Sequence, residues 1–205
     1  MFEDYVERSM TYGEYITLID DLLLKGRTTG PNQSKAMINY TAINRQRIHR
    51  LEKTIDLDES VESASRGAQR RVIWLVITEG WCGDAAQNIP IIEKIAAQSV
   101  NIETRYILRD ENPDLMDKFL TDGKRSIPKL IAMDAATREV LGTWGSRPAP
   151  AQALFLELKE QGVAKLLITE NLQRWYNADR GKTIQAEFVK FIEQGEGEQV
   201  SKARV

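Results

Sequence analysis

The chain has 205 residues, 42% hydrophobic and 28% charged, with a formal net charge of −2. That is enough apolar material for one ordinary core with an extension or for two small cores, and the near-neutral balance excludes a strong pull toward nucleic acid or an anionic membrane. A single cysteine excludes an internal disulfide framework, and the acidic N-terminus, with no apolar signal core and no stretch near the roughly 20 apolar residues of a membrane span, points to a cytoplasmic, reducing setting.

Thr11 and Glu14 fit a capping box, and Tyr15, Ile16, Ile19, Leu22 and Leu23 line one face of the following helix until Gly26 stops it. Residues 25–34, with Gly30 and Pro31, read as a connection. A second helix is predicted over residues 35–54, with Met37, Tyr40, Ile48 and Leu51 at helical spacing and Asn44 inside that stripe. The basic run at residues 45–50 alternates with this stripe in an acidic protein, so it reads as a solvated face rather than a nucleic-acid contact. His49, the only histidine, lies on the polar side, and with one cysteine it makes no metal site unless carboxylates join it.

After a linker at residues 56–58 and a small-residue helix over 59–69, strands and helices alternate. Strands are predicted at 71–78, 101–108, 127–133 and 138–144, with helices at 83–98, 113–121 and 149–160. Right-handed crossover makes the first two strands parallel, and residues 134–137 are short enough to join the last two as a hairpin. Beyond Gly162, Leu166, Leu167, Leu172, Trp175 and Tyr176, then Ile184, Phe188, Phe191 and Ile192, mark two helices with Gly181 as the break. Their aromatic residues read as packing against the N-terminal helices and the sheet. The tail from Gly195 is polar and reads as frayed.

The lone cysteine stands in the stretch Glu79, Gly80, Trp81, Cys82, Gly83, Asp84 and Ala85, where the apolar run at 71–78 hands over to a helical pattern. A thiol at a strand-to-helix turn lies near unpaired backbone N–H groups and the positive end of the helix dipole, a location that favours thiolate. Asp84 cuts both ways: near the helix start it complements the dipole, but two residues from the sulfur its charge disfavours thiolate. No phosphate-cradling glycine loop and no Ser-His-Asp set is identifiable.

Trp81, Cys82 and Gly83 resemble the start of the thioredoxin Trp-Cys-Gly-Pro-Cys motif, and Pro90 falls where that family has its helix-kinking proline. Residues 109–113 resemble the family's post-strand turn, and Ser126, Ile127, Pro128, Lys129 and Leu130 resemble its Ile-Pro-Thr segment. The similarity runs from about Arg70 to Gln161. It implies an α/β chain with a thioredoxin-like three-layer α/β/α core (βαβαββα) over residues 70–161, the family's first strand being replaced by a helical extension at 1–69, with further helices over 162–205. It also implies a cis bond before Pro128 packed beside the sulfur.

The departures are as informative. The second cysteine is replaced by Ala85, the preceding proline by Asp84, and the family's buried acid by Val76. An intramolecular dithiol cycle is therefore impossible, and the resemblance implies thiol–disulfide exchange through Cys82 alone, on protein disulfides or S-thiolated proteins, with an external small thiol resolving the mixed disulfide and no bound cofactor or metal. Trp81, Gly83, Asp84, Ala85, Ile127 and Pro128 would form the substrate-binding surface, and Lys129 would either offer a carboxylate contact or simply be solvated. Leu141 to Gly145 lacks the Gly-Gly-x-x-Asp element of single-cysteine glutaredoxins, and Glu79 stands where peroxiredoxins use threonine. The competing reading is a redox-inactive binding or scaffold protein in which Cys82 is only a small buried residue.

Overall fold

The computed structural model describes residues 2–202, with side chains described through residue 195. A short helix, α1 (Glu3–Glu7), precedes α2 (Tyr12–Leu24), and Thr11 closes the expected capping box: its hydroxyl accepts the Glu14 N–H, and the Glu14 carboxylate accepts the Thr11 N–H. Ser34 caps α3 (Lys35–Thr54), whose buried side is Thr41, Asn44, Ile48 and Leu51. Then come α4 (Glu59–Gly67), β1 (Val72–Thr78), α5 (Gly83–Ala96), β2 (Ile102–Leu108), α6 (Pro113–Met116), β3 (Lys129–Asp134), β4 (Val140–Gly145), α7 (Ala149–Glu160), α8 (Lys165–Asp179) and α9 (Lys182–Lys202).

The four strands form one mixed sheet in the order β2-β1-β3-β4, with β1 parallel to β2 and antiparallel to β3, and β3 antiparallel to β4. Helices flank it, giving the expected thioredoxin-like α/β architecture with additional helices. The central strand β1 is buried from Ile73 to Thr78, which is why its sequence is continuously apolar rather than alternating. At the β2 edge there is, among the described residues, no added strand but an isolated bridge in which Met10 and Tyr106 exchange both N–H···O bonds at 2.8 Å.

One apolar cluster runs from Tyr5 through α2, α3, β1, β2, β3 and α5 to Ile192. Trp74 of β1 and Trp144 of β4 both meet Phe188 of α9 edge-on, at 5.2 and 5.4 Å, while Tyr15 of α2 stacks on Tyr106 of β2 at 5.5 Å. The terminal helices thus supply aromatic area to the core that the sheet alone lacks. Helix α5 is buried continuously from Ala85 to Ile92, as befits a helix covered on several sides. Its seat on β2 is pinned by Glu93, whose carboxylate accepts the Thr104 and Tyr106 hydroxyls at 2.6 and 2.8 Å.

Three element expectations change. The helix predicted over 113–121 ends at Met116, because Thr121 and Lys124 instead close a turn through paired backbone bonds, with Asp122 and Gly123 at positive φ. The third strand starts at Lys129 rather than 127, since Ile127–Pro128 is cis and the chain aligns with β1 only after it. The polar tail continues α9 through Lys202 instead of fraying at Gly195, and residues 203–205 lie outside the described residues. Gly181 is the break between α8 and α9, as read from the sequence, with φ +75°. Among the described residues no helix is long and apolar enough to cross a membrane.

Gly145, paired with Lys129 across β3 and β4, has φ +120°, and a Cβ there would overlap the Pro128 carbonyl oxygen and stand 3.3 Å from the Lys129 Cα. Only glycine lets β4 close against the chain beside Pro128. Gly145→Ala is expected to lower the unfolding free energy by about 3 kcal/mol, read as a shift of the urea midpoint with the slope unchanged.

Candidate functional site

β1 delivers the chain into a turn at residues 79–82, and Cys82 is the N-cap of α5. Its sulfur accepts the Ala85 N–H at 3.4 Å, and its carbonyl accepts the Ala86 N–H at 3.1 Å. The thiol fills the place a serine or aspartate side chain takes at most helix starts. On its other side it donates to the Ile127 carbonyl at 3.3 Å, one residue before the cis bond to Pro128. Cys82, Ala85 and Ile127 are thus in direct contact, with Pro128 buried behind them and Trp81, Gly83 and Asp84 partly exposed around the turn.

The turn's own polar backbone is satisfied from the N-terminal extension. Thr29 Oγ1 accepts the Gly80 N–H at 2.9 Å, and Asn44 Nδ2 donates to the Gly80 carbonyl at 3.1 Å. The polar residue inside the apolar stripe of α3 is therefore a hydrogen-bond donor to the turn that carries Cys82. Arg109 lies over the Trp81 ring at 4.7 Å and pairs with Asp110 at 2.8 Å, holding the indole against the post-strand turn.

Asp84 is enclosed. Its carboxylate pairs with Arg147 at 2.7 Å and accepts the Tyr176 hydroxyl at 2.9 Å, with side chains only 13% and 12% exposed for Asp84 and Arg147. Asn88 donates to the Asp84 carbonyl and to the Tyr176 oxygen. Burial pushes the Asp84 carboxyl upward, and Arg147, the Tyr176 hydroxyl and Arg47 oppose that rise. No local pattern around residue 84 points to Arg147 or Tyr176, since they come from the β4–α7 connection and from α8.

The balance between helix start and Asp84 that the sequence leaves open is joined by a larger influence, the burial of the sulfur. Cys82 is 8% exposed, and its pKa is pushed up to about 12, first by burial and then by the Asp84 charge. The Ala85 N–H and Arg147 pull it back only in part. The helix start does favour the anion, but desolvation outweighs it.

Glu79 is a second buried acid beside the turn. One carboxyl oxygen accepts the Asp110 N–H at 2.9 Å, the other has no hydrogen-bond partner among the described residues, and burial raises its pKa. Val76, at the family's acid position, is fully buried and apolar. Lys129 does not offer a surface contact: it is 7% exposed and donates to Thr121 Oγ1 at 3.3 Å. His49 is exposed near Glu52, and no group of three or more His, Cys, Asp or Glu among the described residues could hold a metal ion.

Two opposed variants separate electrostatics from loosening. Removing the Asp84 charge favours the thiolate and removing Arg147 disfavours it, so alkylation of Cys82 at pH 8 should be about tenfold faster in Asp84→Asn and severalfold slower in Arg147→Gln, one pKa unit being a tenfold change in thiolate fraction. If both variants label faster, loosening rather than charge is at work. In the wild type the labelling rate should keep climbing beyond pH 10. The folded state holds the Cys82 proton more tightly than the unfolded chain, so the associated stability is present below about pH 8.5 and lost as pH rises toward about 12, with a slope of at most about 1.4 kcal/mol per pH unit. Urea midpoints of wild type and Cys82→Ala between these limits should therefore converge as pH rises.

No curated protein matches the chain. Among solved structures, a protein of unknown function from Pseudomonas aeruginosa superposes with a TM-score of 0.64 at 16% identity, covering 92% of this chain and 94% of its own. An HIV epitope-scaffold gives 0.54 at 19% identity, covering 90% of this chain and 98% of its own. At these identities the likeness concerns the fold. A family model described as Thioredoxin matches residues 30–162, more than half the chain and inclusive of the Cys82 turn and Pro128, and on that match the chain belongs to the thioredoxin family.

Proposed function

We propose that this chain catalyses thiol–disulfide exchange with Cys82 as its sole nucleophile and an external small thiol as resolving partner. The observation that carries this reading is the placement of the sulfur: at the N-cap of α5, bonded to the Ala85 N–H, and against the Ile127 carbonyl next to a cis proline. An extended substrate segment would pair with the Ile127 backbone, flanked by Trp81.

In the first step the Cys82 proton leaves to solvent and the thiolate attacks one sulfur of an S-thiolated protein. A new S–S bond joins Cys82 to the small-thiol sulfur, and the protein sulfur departs as thiolate and takes up a proton. A second molecule of the small thiol then attacks the mixed disulfide, giving the oxidised small thiol and free Cys82. On an ordinary protein disulfide the same attack leaves the protein bound until an external thiol releases it. The chain at rest carries a protonated thiol whose hydrogen bond occupies the Ile127 carbonyl. A substrate N–H competing for that oxygen would loosen the hydrogen as it docks. The chemistry suits a reducing compartment such as the cytoplasm.

The burial of Cys82 and its raised pKa favour a second reading, a redox-inactive binding protein that uses the Trp81 and Pro128 surface. Release of 2-mercaptoethanol from a peptide cysteine carrying it as a mixed disulfide distinguishes the two. Exchange by the wild type that falls to background in Cys82→Ser supports the first. Absence of exchange in both proteins, at any concentration of external thiol, would leave the binding reading. Ala85→Cys should add a slow reduction of insulin disulfides that the wild type lacks.

A further inference from the structure

A groove of the molecule lies away from the sulfur. It has a volume of about 790 Å³ and runs between α3 and the corner joining α8 to α9, with Gln87, Asn88 and Ile91 of α5 forming its floor. Arg47 and Arg50 stand on its α3 wall, and Arg180 and Lys182 on the opposite corner. Elsewhere Arg45, Arg70, Arg109, Arg138 and Arg147 each hold a carboxylate. The four groove cations hold none among the described residues, and Arg47 has as its hydrogen-bond partner only the neutral amide of Asn44, at 3.0 Å. Arg47 and Arg50 lie one helical turn apart, so their side chains share a face, and Arg47, half buried, feels the charge of Arg50.

The acids that face the same space do not cancel this. Asp179 is occupied by Thr183, whose N–H it accepts at 3.2 Å. Asp56 and Asp58 follow the C-terminal end of α3 and line the groove beside the four cations. Asp84 acts on Arg47 from beneath, but its carboxylate is taken by Arg147 and Tyr176. The groove therefore has a cationic stretch backed by amides with carboxylates beside it, which suits a compact anion and disfavours an extended polyanion such as nucleic acid.

The geometry points to a binding site in this groove for a small, doubly charged oxyanion, a phosphate group or a dicarboxylate, received by the guanidinium groups of Arg47 and Arg50. Planar guanidinium forks match both kinds of oxyanion. The site abuts the active-site turn, since Arg47 Nη1 would stand 3.6 Å from a Cβ placed on Gly83. It does not require the sulfur, and it goes beyond the exchange activity.

Calorimetric titration of the full chain with inorganic phosphate, and separately with succinate, tests this. Saturable one-to-one binding of at least one anion is expected, weakened about tenfold or more in Arg50→Gln, equivalent to about 1.4 kcal/mol. Lys53→Gln, on the same helix but outside the groove lining, should change the Kd less than about twofold, and Cys82→Ser should bind like the wild type, so this result stands or falls separately from the exchange assay. Which anion binds tells phosphate from carboxylate chemistry. Arg50 is exposed at a helix surface, and an unchanged melting temperature in Arg50→Gln shows that the loss is not unfolding. The inference is overturned if neither anion gives saturable heat by about 10 mM, or if Arg50→Gln and Lys53→Gln weaken binding equally.

Discussion

The buried pair between Asp84 and Arg147 constrains everything around the sulfur. Its partners come from the start of α5, the β4–α7 connection and, through Tyr176, from α8. A carboxylate this enclosed is tolerable only with a cation and further hydrogen bonds, and stripping one partner from such a pair typically costs about 3–5 kcal/mol. Three segments distant in sequence are thus held in register at one point, and that point is two residues from Cys82. The same charge that organises the turn also works against the thiolate, while Arg147 works for it. Burial exceeds both effects, so the resting state is the thiol.

The elements outside the sheet belong to the site rather than merely covering it. Asn44 of α3 and Thr29 of the preceding connection take up the two polar groups of Gly80, which a buried turn cannot leave to water. Glu93 holds α5 on β2 through two hydroxyls, and α9 closes the aromatic cluster around Trp74. The N-terminal segment meets the β2 edge with one bridge at Met10 and otherwise packs as helices, so the helical extension stabilises by apolar burial where an extra strand would have used a ladder of hydrogen bonds.

The regular elements were legible because their physics is local. The β-branched run at 71–78, the capping box at Thr11 and the glycine at 181 each signal structure within a few residues, and the strand, the cap and the break lie there, the strand beginning one residue later at Val72. The segments around Cys82 and Ile127–Pro128 were legible for a different reason, a resemblance to a family spanning both, and the match over residues 30–162 supports that family. What could not be read was the environment. A helix N-terminus predicts an acidified thiol, but whether that thiol is desolvated depends on which distant chains fold over it. Nothing near residue 84 announces Arg147 or Tyr176. Asn44 was visible as a polar residue in an apolar stripe, yet its target at Gly80 is set by tertiary packing. Lys129 looked solvated or ligand-facing from its neighbours and is instead tucked against Thr121.

The replacement at the second motif position follows from the same geometry. Ala85 is 2% exposed, and its N–H points at the Cys82 sulfur, so the residue there contributes through its backbone whatever its side chain is. Losing a thiol at 85 therefore leaves the N-cap geometry of Cys82 intact while removing the internal resolving step. Placing an acid at 84 has the larger structural consequence, because a buried carboxylate demands the arginine and the tyrosine that the C-terminal half supplies. Tyr176 of α8, which donates to Asp84, also lines the groove bearing Arg47 and Arg50, so the enclosed carboxylate and that groove share a wall. The acid at 84 and the helix α8 beyond the core are thus tied to one another by a direct hydrogen bond.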